Sequence, residues 1–124
     1  MRRLIGLMLA AVGLALGVTV ATGLDRPAAA QPTPVDVVLG TYIFEPAELI
    51  VPVGVVTLNL TNVDSRRHNM IIDFGNGVEG ESDTFSAGSG GIWEVAFDQP
   101  GAYPFYCSID NHAERGMVGT LIAQ

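Results

Sequence analysis

The fold of this chain is indicated most directly by residues 98–123, which read DQPGAYPFYCSIDNHAERGMVGTLIA. The stretch opens with the turn signal Asp98-Gln99-Pro100-Gly101, because proline and glycine side by side interrupt regular structure. Ala102 to Cys107 and Gly116 to Ala123 are then predicted to be strands. Two strands joined by a long polar loop indicate an all-β fold whose chemistry is concentrated in that loop.

The rest of the chain has the same character. Short runs of alternating or β-branched residues are separated by Gly, Pro, Asn and Asp, and no helical period of useful length occurs. Six further strands are predicted: Val35–Ile43, Glu48–Val51, Val55–Asn62, His68–Phe74, Glu81–Phe85 and Ile92–Phe97. Eight strands in so short a domain predict an eight-stranded Greek-key β-sandwich of two layers.

The first 30 residues differ from the remainder. A basic start, Met1-Arg2-Arg3, precedes the apolar run Leu4 to Val20, and Ala28-Ala29-Ala30 follows. This order is typical of a secretory signal peptide with small residues at its cleavage site. We therefore expect cleavage after Ala30 and a protein exported to the periplasm or to the extracytoplasmic face of the membrane.

An uncleaved anchor is the alternative for this segment. Leu4 to Leu24 is about long enough to span a bilayer, and it would then tether the protein to a membrane. In both cases residues 31–34 are expected to be an extended linker, because Pro32 and Pro34 disfavour helix. Residues 35–124 are expected to form one domain.

The domain is strongly acidic. Residues 31–124 hold three Arg, no Lys and 12 of the chain's 13 acidic residues, so their formal net charge is −9. Such a surface repels the phosphate backbone, which argues against a nucleic-acid partner. It suits a basic docking partner, or it serves solubility alone.

The chain contains one cysteine and two histidines. An exported domain of this size often depends on disulfides, which Cys107 cannot form within the chain. Cys107, His112 and Met117 follow the pattern C-x4-H-x4-M, and His68 begins a strand whose end can lie beside that loop. Each of these residues alone would be interpreted as an ordinary core or surface residue, but their joint placement predicts a metal site.

The donor types identify the metal. Two imidazoles and a thiolate with a weak axial thioether form the ligand set of a blue-copper centre. The soft sulfur donors favour Cu(I) and imidazole accepts both oxidation states, so one copper ion cycling between Cu(I) and Cu(II) is expected. Zinc is less well matched, since methionine is not among its usual ligands.

The sequence resembles the cupredoxins, the family of plastocyanin, azurin and auracyanin, over nearly all of residues 35–124. The resemblance is carried by Phe44-Glu45-Pro46, Val51-Pro52-Val53-Gly54, Asn62, His68-Asn69, Asp98 through Tyr103, Phe105 through Ser108, His112, and Gly116 through Leu121. It implies that His68, Cys107 and His112 are strong copper ligands and that Met117 is the axial one.

The resemblance also implies roles for neighbouring residues. Asn69 would join the His68 strand to the Cys107 loop by hydrogen bonds, and His112 would be the ligand through which electrons enter and leave. The Cys-to-His spacing of four residues is like that of azurin and auracyanin and longer than that of plastocyanin. Asn111 stands where many relatives have Gly, and Asn is a tolerant substitute if a positive φ is needed there.

Arg66 and Arg67, directly before His68, allow two interpretations. They either raise the reduction potential or steer a partner, or they only balance nearby acids such as Asp64. The sequence favours the second interpretation.

Three functions are compared. An electron carrier is favoured, working between redox proteins such as cytochromes or a terminal reductase or oxidase, and a monomer is expected. A copper chaperone or store is the alternative, although such proteins usually need exposed, exchangeable sites. An enzyme is disfavoured, because a catalytic copper needs further histidines and both are already used.

Overall fold

The computed structural model describes residues 33–124, which form nine β-strands and no helix. The strands are β1 (Val35–Gly40), β2 (Ile43–Glu45), β3 (Glu48–Val51), β4 (Gly54–Asn62), β5 (Ile71–Gly75), β6 (Val78–Glu81), β7 (Gly90–Phe97), β8 (Gly101–Tyr106) and β9 (Val118–Ala123). Within this range no helix is long and apolar enough to cross a membrane. The predicted signal peptide or anchor, residues 1–30, lies outside the described residues.

The strands form two sheets. One has the order β2-β1-β4-β7 and the other has the order β3-β9-β8-β5-β6. The pairs β1–β4 and β3–β9 are parallel, and the other neighbouring pairs are antiparallel. The predicted all-β sandwich of two sheets is therefore confirmed, with nine strands in place of eight.

Alternation along the strands creates the core. Val56, Leu58 and Leu60 of β4 are all buried, while the residues between them are more exposed, as the period of two requires. Val95 and Phe97 of β7 and Leu121 of β9 contribute to the same apolar cluster. The core is thus continuous between the two sheets and reaches Cys107 and Met117 at one end of the sandwich.

Two of the predicted strands were misplaced. The prediction Val35–Ile43 is wrong because the chain turns at Thr41–Tyr42, where Tyr42 has φ 62°, and β2 then folds back on β1. The segment after Phe74 is a tight hairpin: Asn76 and Gly77 both have positive φ between paired Gly75 and Val78. Two such residues form the type I′ turn that suits strand twist, so the partner strand is β6 and not Glu81–Phe85.

The direction of the strands defines two ends of the sandwich. β8 runs toward Cys107 and β9 runs away from it, since Tyr106 pairs with Val118 and Gly101 pairs with Ala123. β1 and β4 run in parallel, with Leu39 beside Asn62. The loops after β4 and β8 lie at the end that holds Cys107, here called the cysteine end. The β7–β8 turn lies about 20 Å away, at roughly 3.3 Å per residue along β8.

Candidate metal centre

Cys107 follows directly after β8 and is 1% exposed. Its backbone N–H donates to the carbonyl of Met117 (3.1 Å), which closes the loop of residues 107–117 at its base. Cys107 is the only cysteine in the chain. The β8 strand therefore delivers a buried thiol to the cysteine end, where no disulfide partner within the chain can reach it.

The loop of residues 107–117 turns tightly around His112. The His112 N–H donates to the Ile109 carbonyl (3.1 Å), and the Met117 N–H donates to the His112 carbonyl (3.0 Å). Asn111 has no positive φ, whereas its neighbour Asp110 does (φ 46°), and aspartate also tolerates this conformation. These bonds fix His112 and Met117 relative to Cys107, and both side chains are buried.

His68 comes from a different loop of the cysteine end, which connects β4 of one sheet to β5 of the other. The predicted strand His68–Phe74 is correct in place but begins only at Ile71. His68 instead makes an isolated antiparallel bridge with Phe85, with its N–H 3.1 Å from the Phe85 carbonyl. The buried Asn62 stabilises this loop, since its Nδ2 lies 2.7 Å from the Arg66 carbonyl and 2.8 Å from the Phe85 carbonyl.

Three donor atoms converge at this point. Cys107 Sγ lies 3.9 Å from His68 Nδ1 and 3.6 Å from His112 Nδ1, and all three atoms lie within 4.8 Å of one another. A metal ion bonded to nitrogen and sulfur at about 2.0–2.3 Å separates its ligand atoms by roughly 3.5–4 Å. The spacing and the chemistry of these donors therefore fit a single ion without large movement.

Met117 occupies the position expected of the axial residue along the chain. It is fully buried, and its backbone is hydrogen-bonded to both Cys107 and His112. Its assignment as the axial ligand remains a prediction, and substitution of Met117 would test it.

Asn69 links the two loops that carry the donors, as predicted. Its Nδ2 donates to Ser108 Oγ and its Oδ1 accepts from the Ser108 N–H, both at 2.8 Å. Asn69 is 1% exposed. Since Asn69 follows His68 and Ser108 follows Cys107, this reciprocal pair holds two of the donor-bearing backbones together.

Asp64 is a site residue whose role was not anticipated from the sequence. Its Oδ2 lies 2.8 Å from His68 Nε2, the only ion pair among residues 33–124. Neither Arg66 nor Arg67 forms an ion pair with a carboxylate in that range, so any balance of nearby acids by these arginines acts without direct contact. An aspartate four residues before a histidine was the available signal, but the sequence does not say which partner it takes.

His112 is the more accessible of the two imidazoles, yet it is only 3% exposed, against 0% for His68. The Tyr42 ring packs edge-on against the His112 ring, with 5.3 Å between centroids. Burial lowers the pKa of His112, and the neighbouring His68 lowers it further. A lowered pKa keeps the imidazole neutral, which is the form that binds a metal ion.

Comparison with known proteins agrees with this architecture. The family model described as "Cupredoxin-like domain" matches residues 8–123. Reduced auracyanin from Roseiflexus castenholzii is 17% identical, with a TM-score of 0.69 over 76% of this chain and 99% of that chain. A purple cupredoxin from Nitrosopumilus maritimus is 27% identical, with a TM-score of 0.56 over 73% of this chain and 99% of that chain.

A larger protein also contains a similar domain. The copper-containing nitrite reductase from Thermus scotoductus is 25% identical, with a TM-score of 0.58. The match covers 76% of this chain and only 23% of the reductase chain. The shared part is therefore one domain of a protein about four times as long.

Fold and site together define a small metal-binding β-sandwich with a buried Cys-His-His centre. The chain belongs to the cupredoxin-like family, whose model spans nearly its whole length. Its residues His68, Cys107 and His112 are arranged as the donors of a type 1 copper site, and Met117 is buried at the end of the same loop.

Proposed function

We propose that this protein carries single electrons between redox proteins outside the cytoplasm. The observation that carries the proposal is the buried group of Cys107 Sγ, His68 Nδ1 and His112 Nδ1, already gathered within 4.8 Å by the fold. A copper ion bound by these donors supplies a one-electron couple between Cu(I) and Cu(II). The net reaction takes one electron from a donor protein and passes it to an acceptor, without bond cleavage.

The surrounding residues suit this task because they hold the donors still. Asn69 ties the two donor loops together, and Asp64 fixes the His68 ring. A set of donors that moves little between two oxidation states requires little reorganisation, which favours fast electron exchange. Because the donor side chains are buried, water and other small molecules would have no direct access to a copper ion bound by them.

Copper delivery is the alternative function, and burial argues against it. His68, Cys107 and His112 are 0%, 1% and 3% exposed. A protein that hands its metal to another needs at least one donor that the recipient can reach. Slow release to a chelator is therefore expected of this site.

Catalysis by this chain alone is not part of the proposal. The structurally similar nitrite reductase shows that this type of domain also occurs in enzymes. The present chain has two histidines and one cysteine, all in one site. A second copper centre ligated by histidine would have to come from another chain.

Export remains part of the proposal and rests on the sequence of residues 1–30. Mass spectrometry of the protein recovered from cells tests it directly. A mature chain that begins at Gln31 supports cleavage and export, and an intact N-terminus in the membrane fraction supports the anchored form. An intact protein in the soluble cytoplasmic fraction would contradict both.

The copper assignment is tested by the visible spectrum. The protein loaded with Cu(II) is expected to show an intense thiolate-to-copper absorption, which Cys107→Ser abolishes. Reduction and reoxidation by small redox reagents should be fast and reversible, with copper retained. A colourless loaded protein, or colour that survives Cys107→Ser, would overturn the proposal.

A further inference from the structure

The positive charges of the domain are gathered at the cysteine end. Arg66 and Arg67 lie in the loop between β4 and β5, and Arg115 lies in the loop between β8 and β9; all three are exposed. They are the only cationic Arg or Lys side chains in residues 33–124. None forms an ion pair with a carboxylate in that part of the chain. These charges are therefore available to an external partner.

Tyr42 places two of these charges next to His112. The Arg115 guanidinium lies 5.0 Å from the centroid of the Tyr42 ring, and that of Arg66 lies 5.8 Å from it. Both separations are within the range of cation–π attraction. The same ring contacts His112 edge-on at 5.3 Å. A single aromatic ring thus joins two guanidinium groups to the more accessible of the two imidazoles.

The formal charge of the two donor loops is zero, whereas that of the whole domain is −9. The two donor loops, residues 63–70 and 107–117, contain three Arg and three acids: Asp64, Asp110 and Glu114. Asp64 is already engaged by His68. The other nine acids of the domain lie outside these loops, and that part of the domain contains no Arg or Lys. Three of those acids, Asp73, Glu79 and Glu81, lie near Tyr106, whose hydroxyl donates a hydrogen bond to Glu79 Oε1 (2.9 Å).

We propose that Tyr42, Arg66 and Arg115 form a docking surface for an acidic partner protein, and that the partner meets the site over the His112 ring. The inference rests on the proposed electron-carrier function and specifies the charge of its partner. It runs against the net charge of −9, which alone favours a basic partner. The net charge sets the long-range field, whereas the charges beside the contact set orientation at close range.

An anionic membrane would also attract arginine. Two exposed guanidinium groups carried by a domain with nine surplus negative charges make that alternative unfavourable, because the whole domain is repelled by the same surface. A partner protein with a local acidic patch avoids most of this repulsion. At 0.1 M salt, screening limits electrostatic interactions to charges within about 10 Å of one another, so only the charges near the contact matter.

Two oxidants of opposite charge test the proposal. The Cu(I) protein is mixed with hexacyanoferrate(III), a trianion, or tris(phenanthroline)cobalt(III), a trication, at 10 mM ionic strength. The double variant Arg66→Gln/Arg115→Gln should react about three- to ten-fold more slowly with the anion, and no more slowly with the cation. At 1 M salt, where the screening length is about 3 Å, the difference should shrink to less than two-fold.

The two reagents separate docking from driving force. A change in reduction potential would alter both rates in the same direction, whereas a change in surface charge does not. Arg66→Lys/Arg115→Lys keeps the charge and should retain the anion rate to within about two-fold. Gln99→Glu/Gln124→Glu lowers the net charge by the same two units at exposed positions of the end remote from the site, and it should change the anion rate by less than two-fold.

The outcomes separate this inference from the proposed function. If neither oxidant reacts with the wild-type Cu(I) protein, the electron-carrier proposal itself fails. If both react but the double Gln variant behaves like Gln99→Glu/Gln124→Glu, only the docking surface is wrong. Binding to phosphatidylglycerol vesicles that the double Gln variant abolishes would reassign the surface to a lipid and overturn the protein partner.

Discussion

The Nε2 atom of His68 lies 2.8 Å from Oδ2 of Asp64, with the two side chains 0% and 10% exposed. This hydrogen bond holds the pKa of Asp64 well below its usual range, at about 2. Hydrogen bonds from Thr41 and the Ser65 backbone act in the same direction. Asp64 is therefore a carboxylate at neutral pH, and it keeps the proton of His68 on Nε2, leaving Nδ1 free to bind the metal.

Replacing Asp64 separates its charge from its hydrogen bond. Asp64→Asn keeps an acceptor for Nε2–H but removes the negative charge that favours Cu(II) over Cu(I). The ratio of Cu(II) to Cu(I) affinity is expected to fall about ten-fold, a rise in reduction potential of about 60 mV. Potentiometric titration measures the reduction potential of each variant. Asp98→Asn, the same change in the remote β7–β8 turn, is the control, and equal shifts in the two variants would refute a specific role for Asp64.

Asn69→Ala should loosen the link between the donor loops. The substitution removes both hydrogen bonds to Ser108 and leaves the Ser108 N–H without its acceptor, at an expected cost of about 1–3 kcal/mol in the free energy of unfolding. Denaturant titration measures the loss, and hydrogen exchange at the Ser108 N–H should accelerate. Ser108→Ala removes only one of the two bonds, so it should cost less; an equal cost would contradict this account.

Met117 is tested through the reduction potential. Met117→Leu keeps an apolar side chain in the core but removes the thioether, which should destabilise Cu(II) and raise the potential. Met117→Gln offers a harder oxygen donor and should lower it. Voltammetry of both variants is the measurement. If both leave the potential unchanged while the fold is retained, Met117 is a core residue and not a ligand.

His112 should make the stability of the metal-free protein depend on pH. Burial lowers its pKa below the ordinary value near 6.5, so the unfolded chain takes up this proton before the folded one as the pH falls. Stability should therefore decrease as the pH is lowered from about 6.5 toward the folded pKa. Urea unfolding between pH 7.5 and 5 measures the slope. His112→Gln should flatten it, and an unchanged slope would assign the dependence to another group.

The sequence was most informative where residue type alone restricts structure. The Pro-Gly turn before Ala102 and the alternation of Val56, Leu58 and Leu60 each admit few conformations, and these predictions are confirmed. The loop from Cys107 to Met117 was recognisable because cysteine, histidine and methionine are rare in this chain. The link from Asn69 to the Cys107 loop followed from the resemblance and is also confirmed, and the structure identifies Ser108 as its partner.

The parts that were missed depend on tertiary contacts. Nothing local marks Tyr42 for a positive φ, since a bulky side chain rarely adopts it, so the turn before β2 and the contact with His112 could not be foreseen. Asp64 has basic neighbours in the sequence, yet it pairs with His68 because the loop brings that ring to it. The hairpin at Asn76-Gly77 was predictable, since this dipeptide is a strong type I′ signal.

Neither end of the described domain leaves the sandwich at the cysteine end. β1 starts beside Leu58 and runs toward the cysteine end, and β9 finishes at Ala123 beside Gly101. A fused domain or a linker to an electrode attached at either end of the described domain would therefore leave the His112 face accessible. Immobilised forms of the protein should keep the exchange rate of the free form, because nothing attached at the termini has to pass in front of the site.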